Sequence, residues 1–384
     1  MPSIEIETIA ALEAHLAAGL PMGNVVVQGL DLTGLATSLD GLDLAGTVFL
    51  GGRLAQSTYE RACADGAVIF RPPLATPFSP YRSQLYTAQE LFGAFDPAEP
   101  ATYANTLDER IYRYTRNPAI RADILHSLAC RLHDHAITDA LEEKVAGRDV
   151  VAIMGGHSVE RTAAGYRDVA LIAKELAESG FLMTSGGGPG AMEATHLGAW
   201  MAHRTEAEVE GALNLLAPCP NFSSREQWLT TALEVKAAYP RVAGAGGEGV
   251  ESLGIPTWLY GHEPPAVFAT AIAKYFANSI REEGLLSVAN SGVIFSPGSA
   301  GTIQEVFQDA TQNHYRSYGN PSPMIFFGVE YWRFHKPVYP LLTELAAGHD
   351  YAALIHITDD PAEVVAYLLD FAAARSAHAN ERDD

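Results

Sequence analysis

The chain has 384 residues, 48% of them hydrophobic and 18% charged, and a formal net charge of -21. This is the composition of a globular protein able to bury a large core, and the length predicts two or three domains. So acidic a chain argues against a nucleic-acid polymer or an anionic membrane as partner, since either favours a basic footprint; an anionic small molecule would have to be held by helix N-termini, backbone N–H groups or single arginines.

The opening segment MPSIEIETIAALEAHLAAGL carries acidic residues and no basic stretch, so no secretory leader is expected. No uninterrupted apolar run is long enough to span a bilayer. From about residue 20 to 80 the chain is rich in Gly, Leu and short β-prone runs, and NVVVQGLDLTGL and LDLAGTVFLGG share Asp-Leu-x-Gly pieces. A small β-containing module over residues 1–100 is expected; two related pieces do not make a solenoid. FRPPLATPFSPY reads as a connector.

Residues 101–148 turn helical. In DILHSLACRLHDHAITDALEEKVAG, Ile124, Leu128, Leu132 and Ile137 fall at near-helical spacing, and Gly147 suits a C-cap. The His133-Asp-His135 triplet is read as structural, because positions i and i+2 of a helix point to different sides and do not chelate one ion. Cys63, Cys130 and Cys219 are widely spaced and odd in number, which predicts reduced thiols in a cytoplasmic protein.

From Asp149 the texture becomes strand, glycine turn, helix, repeated to about residue 375, and this predicts a parallel α/β sheet. DVVAIMGGHS is an apolar run ending at Gly155 and Gly156, and an amphipathic helix closed by Gly180 follows. FLMTSGGGPGAMEATHLGAWMAH is a strand ending near Thr184, then a glycine cluster, then a second helix. GALNLLAP, SGVIFS, PMIFFG and LIHITD are further candidate strands, and residues 376–384 read as a frayed polar tail.

Three strand ends carry glycine turns. Gly155 and Gly156 form the first, which serves equally well as a tight turn or as an anion contact. The second, Ser185-Gly186-Gly187-Gly188-Pro-Gly190, leaves four nearly adjacent positions without side chains. Each glycine costs roughly 0.5–1 kcal/mol relative to alanine in regular structure. Close approach of a ligand would offset that cost, and so would helix-on-sheet packing; the ligand is the favoured reading, with Met192 and Glu193 on the helix behind. In the third turn, Gly298-Ser299-Ala300-Gly301-Thr302, three amides can converge at a helix start and offer a phosphate donors, a dipole and two hydroxyls. Glu305 stands one turn further. Thr302-Ile-Gln-Glu305 is also a capping box in its own right, and both readings of Glu305 stand. Neither GxGxxG in its dinucleotide form nor GxxxxGK[ST] is present.

The pair SGGGPGAMEA and PGSAGTIQE, about 110 residues apart and preceded by VVAIMGGHS, resembles the LOG (Lonely Guy) family in its long bacterial form. That resemblance, over roughly residues 150–357, implies a Rossmann-like parallel sheet flanked by helices with an N-terminal α+β extension. It implies a nucleoside 5'-monophosphate phosphoribohydrolase, which releases free base and ribose 5-phosphate, and a homo-oligomer of at least two chains. It carries the family's glutamate onto Glu305, its phosphate loop onto Gly298, Gly301 and Thr302, and its arginine onto Arg281. Ser299 replaces the second glycine of the family motif. A non-catalytic nucleotide sensor or carrier could use the same cradle.

No lysine among Lys144, Lys174, Lys236, Lys274 and Lys336 lies in a glycine-rich strand end, so the decarboxylase label attached to such chains is not supported. Lys274 is expected on the same helix as Arg281. Neither a cofactor nor a metal is expected. The base is expected between the first glycine turn and the insertion after NLLAP, where Trp228, Tyr239, Trp258 and Tyr260 offer either a stacking wall or ordinary packing. Asp309, at i+4 from Glu305, is a second carboxylate on that face. AGAGGEG, residues 243–249, reads as a mobile tip.

Overall fold

The computed structural model describes residues 3–71, 75–243, 249–260 and 263–383. The glycine-rich tip expected at 243–249 lies almost wholly outside them. The chain forms two compact units, one of residues 1–85 and 113–141, the other of residues 86–112 and 142–384. These cut the chain elsewhere than the boundaries read from texture at 100 and 148.

In the first unit, β1 (Ile4–Ile6), β2 (Val25–Gln28), β3 (Val48–Leu50) and β4 (Val68–Phe70) pair in sequence order, all parallel. Parallel neighbours need a crossover, and the helices Ile9–Ala17, Ala36–Leu39 and Gln56–Asp65 supply it. The extension is thus interleaved α/β, not segregated α+β. The recurring Asp-Leu-x-Gly pieces have a local cause: Asp31 and Asp43 each accept a hydrogen bond from the amide two residues on, Thr33 N at 3.1 Å and Ala45 N at 2.9 Å. Each such turn drops its leucine, Leu32 or Leu44, into a core with Leu12, Val25, Val27 and Phe49.

The long helix Ile124–Val145 ends before Gly147, which takes the left-handed conformation at φ +70°. Its buried stripe matches the predicted one at Ile137 but not at Ile124 or Leu128. Ile124 and Leu128 are exposed, whereas Ala129, His133, Ala136, Ile137 and Ala140 are buried. His133 pairs with Asp134 at 3.4 Å and His135 is exposed, so the triplet is structural as read.

The second unit holds the strands β5 (Val150–Met154), β6 (Leu182–Ser185), β7 (Ser252–Gly254), β8 (Ala271–Ile272), β9 (Gly292–Phe295), β10 (Met324–Phe327) and β11 (Ile355–Thr358). They form a seven-stranded, wholly parallel sheet in the order β11–β10–β9–β5–β6–β7–β8. With helices such as Ala164–Glu178 and Ala191–Trp200 flanking it, this is a Rossmann-like α/β fold. Strands β5, β6 and β9 are buried at every residue, which is why they read as unbroken apolar runs and not as alternating ones. Strand order reverses between β5, from which the chain runs outward to β8, and β9, from which it runs outward to β11. A crevice at the carboxyl ends of strands at such a switch point is where open α/β sheets bind ligands.

Three local expectations are corrected. GALNLLAP is helix, Glu206–Leu216, begun by a full capping box between Thr205 and Glu208. Lys274 lies outside the helix Asn278–Ser287 that carries Arg281; it follows β8, fully buried, with Nζ 2.6 Å from Asp108. The expected polar tail continues the helix Pro361–Asp383.

Candidate functional site

The first and third glycine turns meet at the switch point. Gly155 and Gly156 follow β5, and Ser296–Gly298 follow β9, its neighbour in the sheet. Ser296 N donates to Met154 O at 2.8 Å and Gly156 N to Pro297 O at 3.1 Å. The second turn joins them through Ala191 N, which donates to Gly156 O at 3.2 Å. Three loops distant in sequence are thereby tied together by their backbones.

Within the second turn the crowding comes from protein groups. Gly190 sits at φ +72°, and a Cβ there would lie 2.4 Å from Gly156 O. At Gly187 a Cβ would lie 2.8 Å from Pro256, and at Gly186 it would lie 2.5 Å from Arg281 Nη2. Packing suffices to require Gly187 and Gly190, while Gly186 meets only the movable ends of Arg281 and Met192. Ser185 braces the same turn: its hydroxyl donates to Met192 O at 3.1 Å, accepts from Gly187 N at 3.1 Å, and lies 2.8 Å from His196 Nε2. Burial drives the His196 pKa down to about 3, so that ring is a neutral structural partner. The Met192 side chain lies against both Gly186 and Gly188.

Glu193 does not face the crevice. Its carboxylate is fully buried and receives two hydrogen bonds from Arg161, Nη2 at 2.5 Å and Nε at 2.8 Å, and one from the Tyr166 hydroxyl at 3.0 Å. Arg161 also donates to Cys219 O, Thr231 and Trp228 O. A two-pronged guanidinium–carboxylate pair with its remaining donors satisfied is the arrangement that makes a buried ion pair tolerable. Glu193 is thus a keystone beneath the second turn. Trp228 and Trp258 are likewise interior, the former under the Arg161 guanidinium and the latter stacked on Phe276 at 4.6 Å. They serve packing rather than a stacking wall.

The third turn is arranged differently. The helix Ala300–Tyr315 has Ser299 as its N-cap residue, with no side chain capping it. Thr302 is therefore the third helical residue and not the cap, which removes the capping-box reading of Glu305. The Thr302 side chain is tucked against Gly298, where a Cβ would meet its hydroxyl at 2.1 Å, and the Tyr331 hydroxyl donates to Gly298 O. Ser299, Ala300 and Gly301 are exposed, and the space beside Gly301 is open. An uncapped helix start with small residues presents first-turn N–H groups and the positive end of the helix dipole to the crevice mouth.

Glu305 lies just behind. Its side chain is 13% exposed and Oε1 is 3.7 Å from Arg281 Nη1. Arg281, itself 10% exposed, is aimed by two carbonyls: Nε donates to Ile255 O at 2.8 Å and Nη2 to Gly186 O at 3.4 Å. Burial raises the Glu305 pKa to about 7 against the pull of the Arg281 charge, with Glu282 adding to the rise. A carboxyl poised there exchanges protons readily near neutral pH. Asp309, one turn on, is also buried; burial lifts its pKa to about 8, and Oδ2 has no hydrogen-bond partner.

Arg161, Tyr166, His157 and Glu263 escaped the sequence reading. His157 Nδ1 lies 3.5 Å from Glu263 Oε1, and the ring stands edge-on to Phe222. The HS after the first glycine pair was the only local signal for His157, and Glu263 lay in an insertion that carried no motif. Among the described residues, no helix is long and apolar enough to cross a membrane.

No protein-family model matches the chain, and no curated protein does. Among solved structures, it is similar to the molybdenum cofactor binding protein of Rippkaea orientalis (14% identity, TM-score 0.36, 59% of this chain and 98% of that one). It is also similar to the molybdenum cofactor carrier protein of Chlamydomonas reinhardtii, seen in two structures (16% and 15% identity, TM-scores 0.35 and 0.32, each 59% of this chain and 99% of that one). Overlap this loose brings no ligand or activity to the chain.

Proposed function

We propose that the second unit is a nucleoside 5'-monophosphate phosphoribohydrolase of the LOG type. The observation that carries this reading is Glu305: a sheltered carboxyl, freed from any capping role, held beside Arg281 behind an uncapped helix start at the switch point of the sheet. The turn motifs that resemble the LOG family point the same way.

In this reading the 5'-phosphate sits on the amides of Ala300, Gly301 and Thr302, with the Ser299 hydroxyl beside it. The anchored phosphate holds the ribose against Glu305, so binding energy from a group remote from the reacting carbon is spent on orientation. As the C1'–N bond breaks, positive charge develops on the sugar, and the ionised Glu305 stabilises it and takes a proton from the incoming water. The oxygen of water bonds to C1', the base leaves with the bonding pair and gains a proton, and ribose 5-phosphate remains. Arg281 keeps enough of the Glu305 population ionised and adds a fork for a phosphate or ribose oxygen.

The non-catalytic sensor or carrier would need the cradle but not the carboxylate. Incubation of the pure protein with purine and pyrimidine monophosphates, followed by chromatography for free base and ribose 5-phosphate, separates the two. Release that is lost in Glu305→Gln supports the hydrolase; binding with no release in the wild type overturns it in favour of the carrier.

A further inference from the structure

Resting on the reading above, we infer that Tyr331 is a positioning residue for the phosphate: by holding the Gly298 carbonyl it turns the Ser299 N–H toward the anion and keeps a carbonyl oxygen away from it. The Tyr331 hydroxyl donates to Gly298 O. Gly298 C=O and Ser299 N–H belong to one peptide unit, and in a trans unit the two groups point in opposite directions. An oxygen drawn to Tyr331 therefore sends the N–H away from Tyr331. Ser299 is exposed, and its N–H has no hydrogen-bond partner among the described residues. It stands directly ahead of the first-turn amides of Ala300, Gly301 and Thr302 and adds a fourth donor to them.

This peptide unit needs a hold. Turning it over changes only the ψ of the residue before and the φ of the residue after, and glycine in the first position makes that rotation cheap. The flipped unit would exchange the Ser299 N–H for the Gly298 oxygen, a donor for a partial negative charge facing a phosphate. A tyrosine hydroxyl has one hydrogen to give. Spent on Gly298, it is not available to the nucleotide, so Tyr331 acts through the loop and not on the ligand.

The segment that carries Tyr331 is pinned in place. Tyr331–His335 is a π turn, a rare local geometry frequent at functional sites, in which Lys336 N donates to Tyr331 O at 2.8 Å. The next side chain, Trp332, is fully buried, and its Nε1 donates to Phe295 O at 3.0 Å and to Phe327 O at 3.1 Å, the last residues of β9 and β10. One indole thus ties the π turn to both strand ends. A Cβ at Gly328 would lie 3.3 Å from Pro297, so the turn after β10 also packs directly on the turn after β9.

The test uses the full chain and Tyr331→Phe, which removes one oxygen and keeps the ring. Calorimetric dissociation constants are measured for adenosine 5'-monophosphate and for adenosine on Glu305→Gln, to suppress turnover, with and without Tyr331→Phe. The monophosphate is expected to bind more tightly than the nucleoside, and Tyr331→Phe to shrink that margin at least about 10-fold, the usual yield of one hydrogen bond to a charged group, while adenosine affinity stays within about threefold. A melting temperature within about 4 °C of the parent certifies the fold. A margin indifferent to Tyr331→Phe overturns the inference, as does an equal loss for adenosine, which would make the hydroxyl merely structural, or equal binding of the two ligands at the outset. Absence of base release from the wild type, with the margin still dependent on Tyr331, would instead overturn the hydrolase and leave Tyr331 in this role.

Discussion

Asp309 offers a measurement that needs no substrate. It is 3% exposed, its Oδ2 has no partner, and burial alone moves its pKa from 3.8 to about 8. Because the folded-state value lies above the unfolded one, the native protein holds an extra proton between about pH 4 and pH 8. Stability from this group therefore falls as pH rises through that window, and above about pH 8 the full cost of an ionised buried carboxylate is present. At 1.36 kcal/mol per pH unit, the loss between pH 5 and pH 8 is about 4 kcal/mol. Asp309→Asn keeps the shape and removes the titration. Its new amide N–H costs about 1–3 kcal/mol if left without an acceptor, but that cost does not depend on pH. The assay is urea unfolding followed by tryptophan fluorescence at pH 5, 6.5 and 8. All four tryptophans, Trp200, Trp228, Trp258 and Trp332, lie in the second unit and report on it. The variant should gain about 4 kcal/mol on the wild type between the two extremes, and the Glu305 titration, common to both proteins, cancels. Parallel pH curves would refute the assignment of a neutral buried acid.

Glu305→Gln should lower kcat for base release by about 100- to 10,000-fold while nucleotide affinity stays within about threefold; equal losses in affinity would mean the carboxylate only shapes the site. In the wild type, kcat/KM should rise with pH through about 7, since the ionised carboxylate is the active form and its pKa is raised to about that value. A profile flat from pH 5 to 8 would contradict this. Arg161→Met should destabilise the second unit by about 3–5 kcal/mol, because it strands the buried Glu193 charge; the double variant with Glu193→Gln should recover part of that loss in the same unfolding assay. Gly190→Ala should cost more than about 1 kcal/mol, as both its positive φ and the 2.4 Å approach to Gly156 O oppose a Cβ; a melting temperature equal to wild type would show that the turn can relax.

The sheet strands β5, β6, β9 and β10 were legible because a strand buried on both faces is a short apolar run, and the turns after β5, β6 and β9 are marked by glycine; β11, at the sheet edge and only half-buried, shows instead the alternation of Ile355 and Ile357 with His356 and Thr358. The helix Glu206–Leu216 was equally legible and was misread: Thr205-Glu-Ala-Glu208 is a capping box ahead of an apolar run, a stronger local signal than the run itself. Strands β7 and β8, three and two residues long, are too brief to show a period.

Identical local patterns resolved differently once packed. Glu193 and Glu305 each follow a glycine turn near the start of a helix, yet Arg161, 32 residues from Glu193, claims the first wholly for the interior, while Arg281 touches the second at the edge of the crevice. Thr302 and Glu305 have the spacing of a cap, but the helix begins at Ala300, three residues too early for it. Periodicity, turn chemistry and glycine placement act over a few residues, and so the alternation of elements and the three turns were determined along the chain itself. Which carboxylate is neutralised, which is left sheltered with a raised pKa, and which loops share one crevice depend on partners 24 to 142 residues away, and only the folding of the sheet brings those partners into reach.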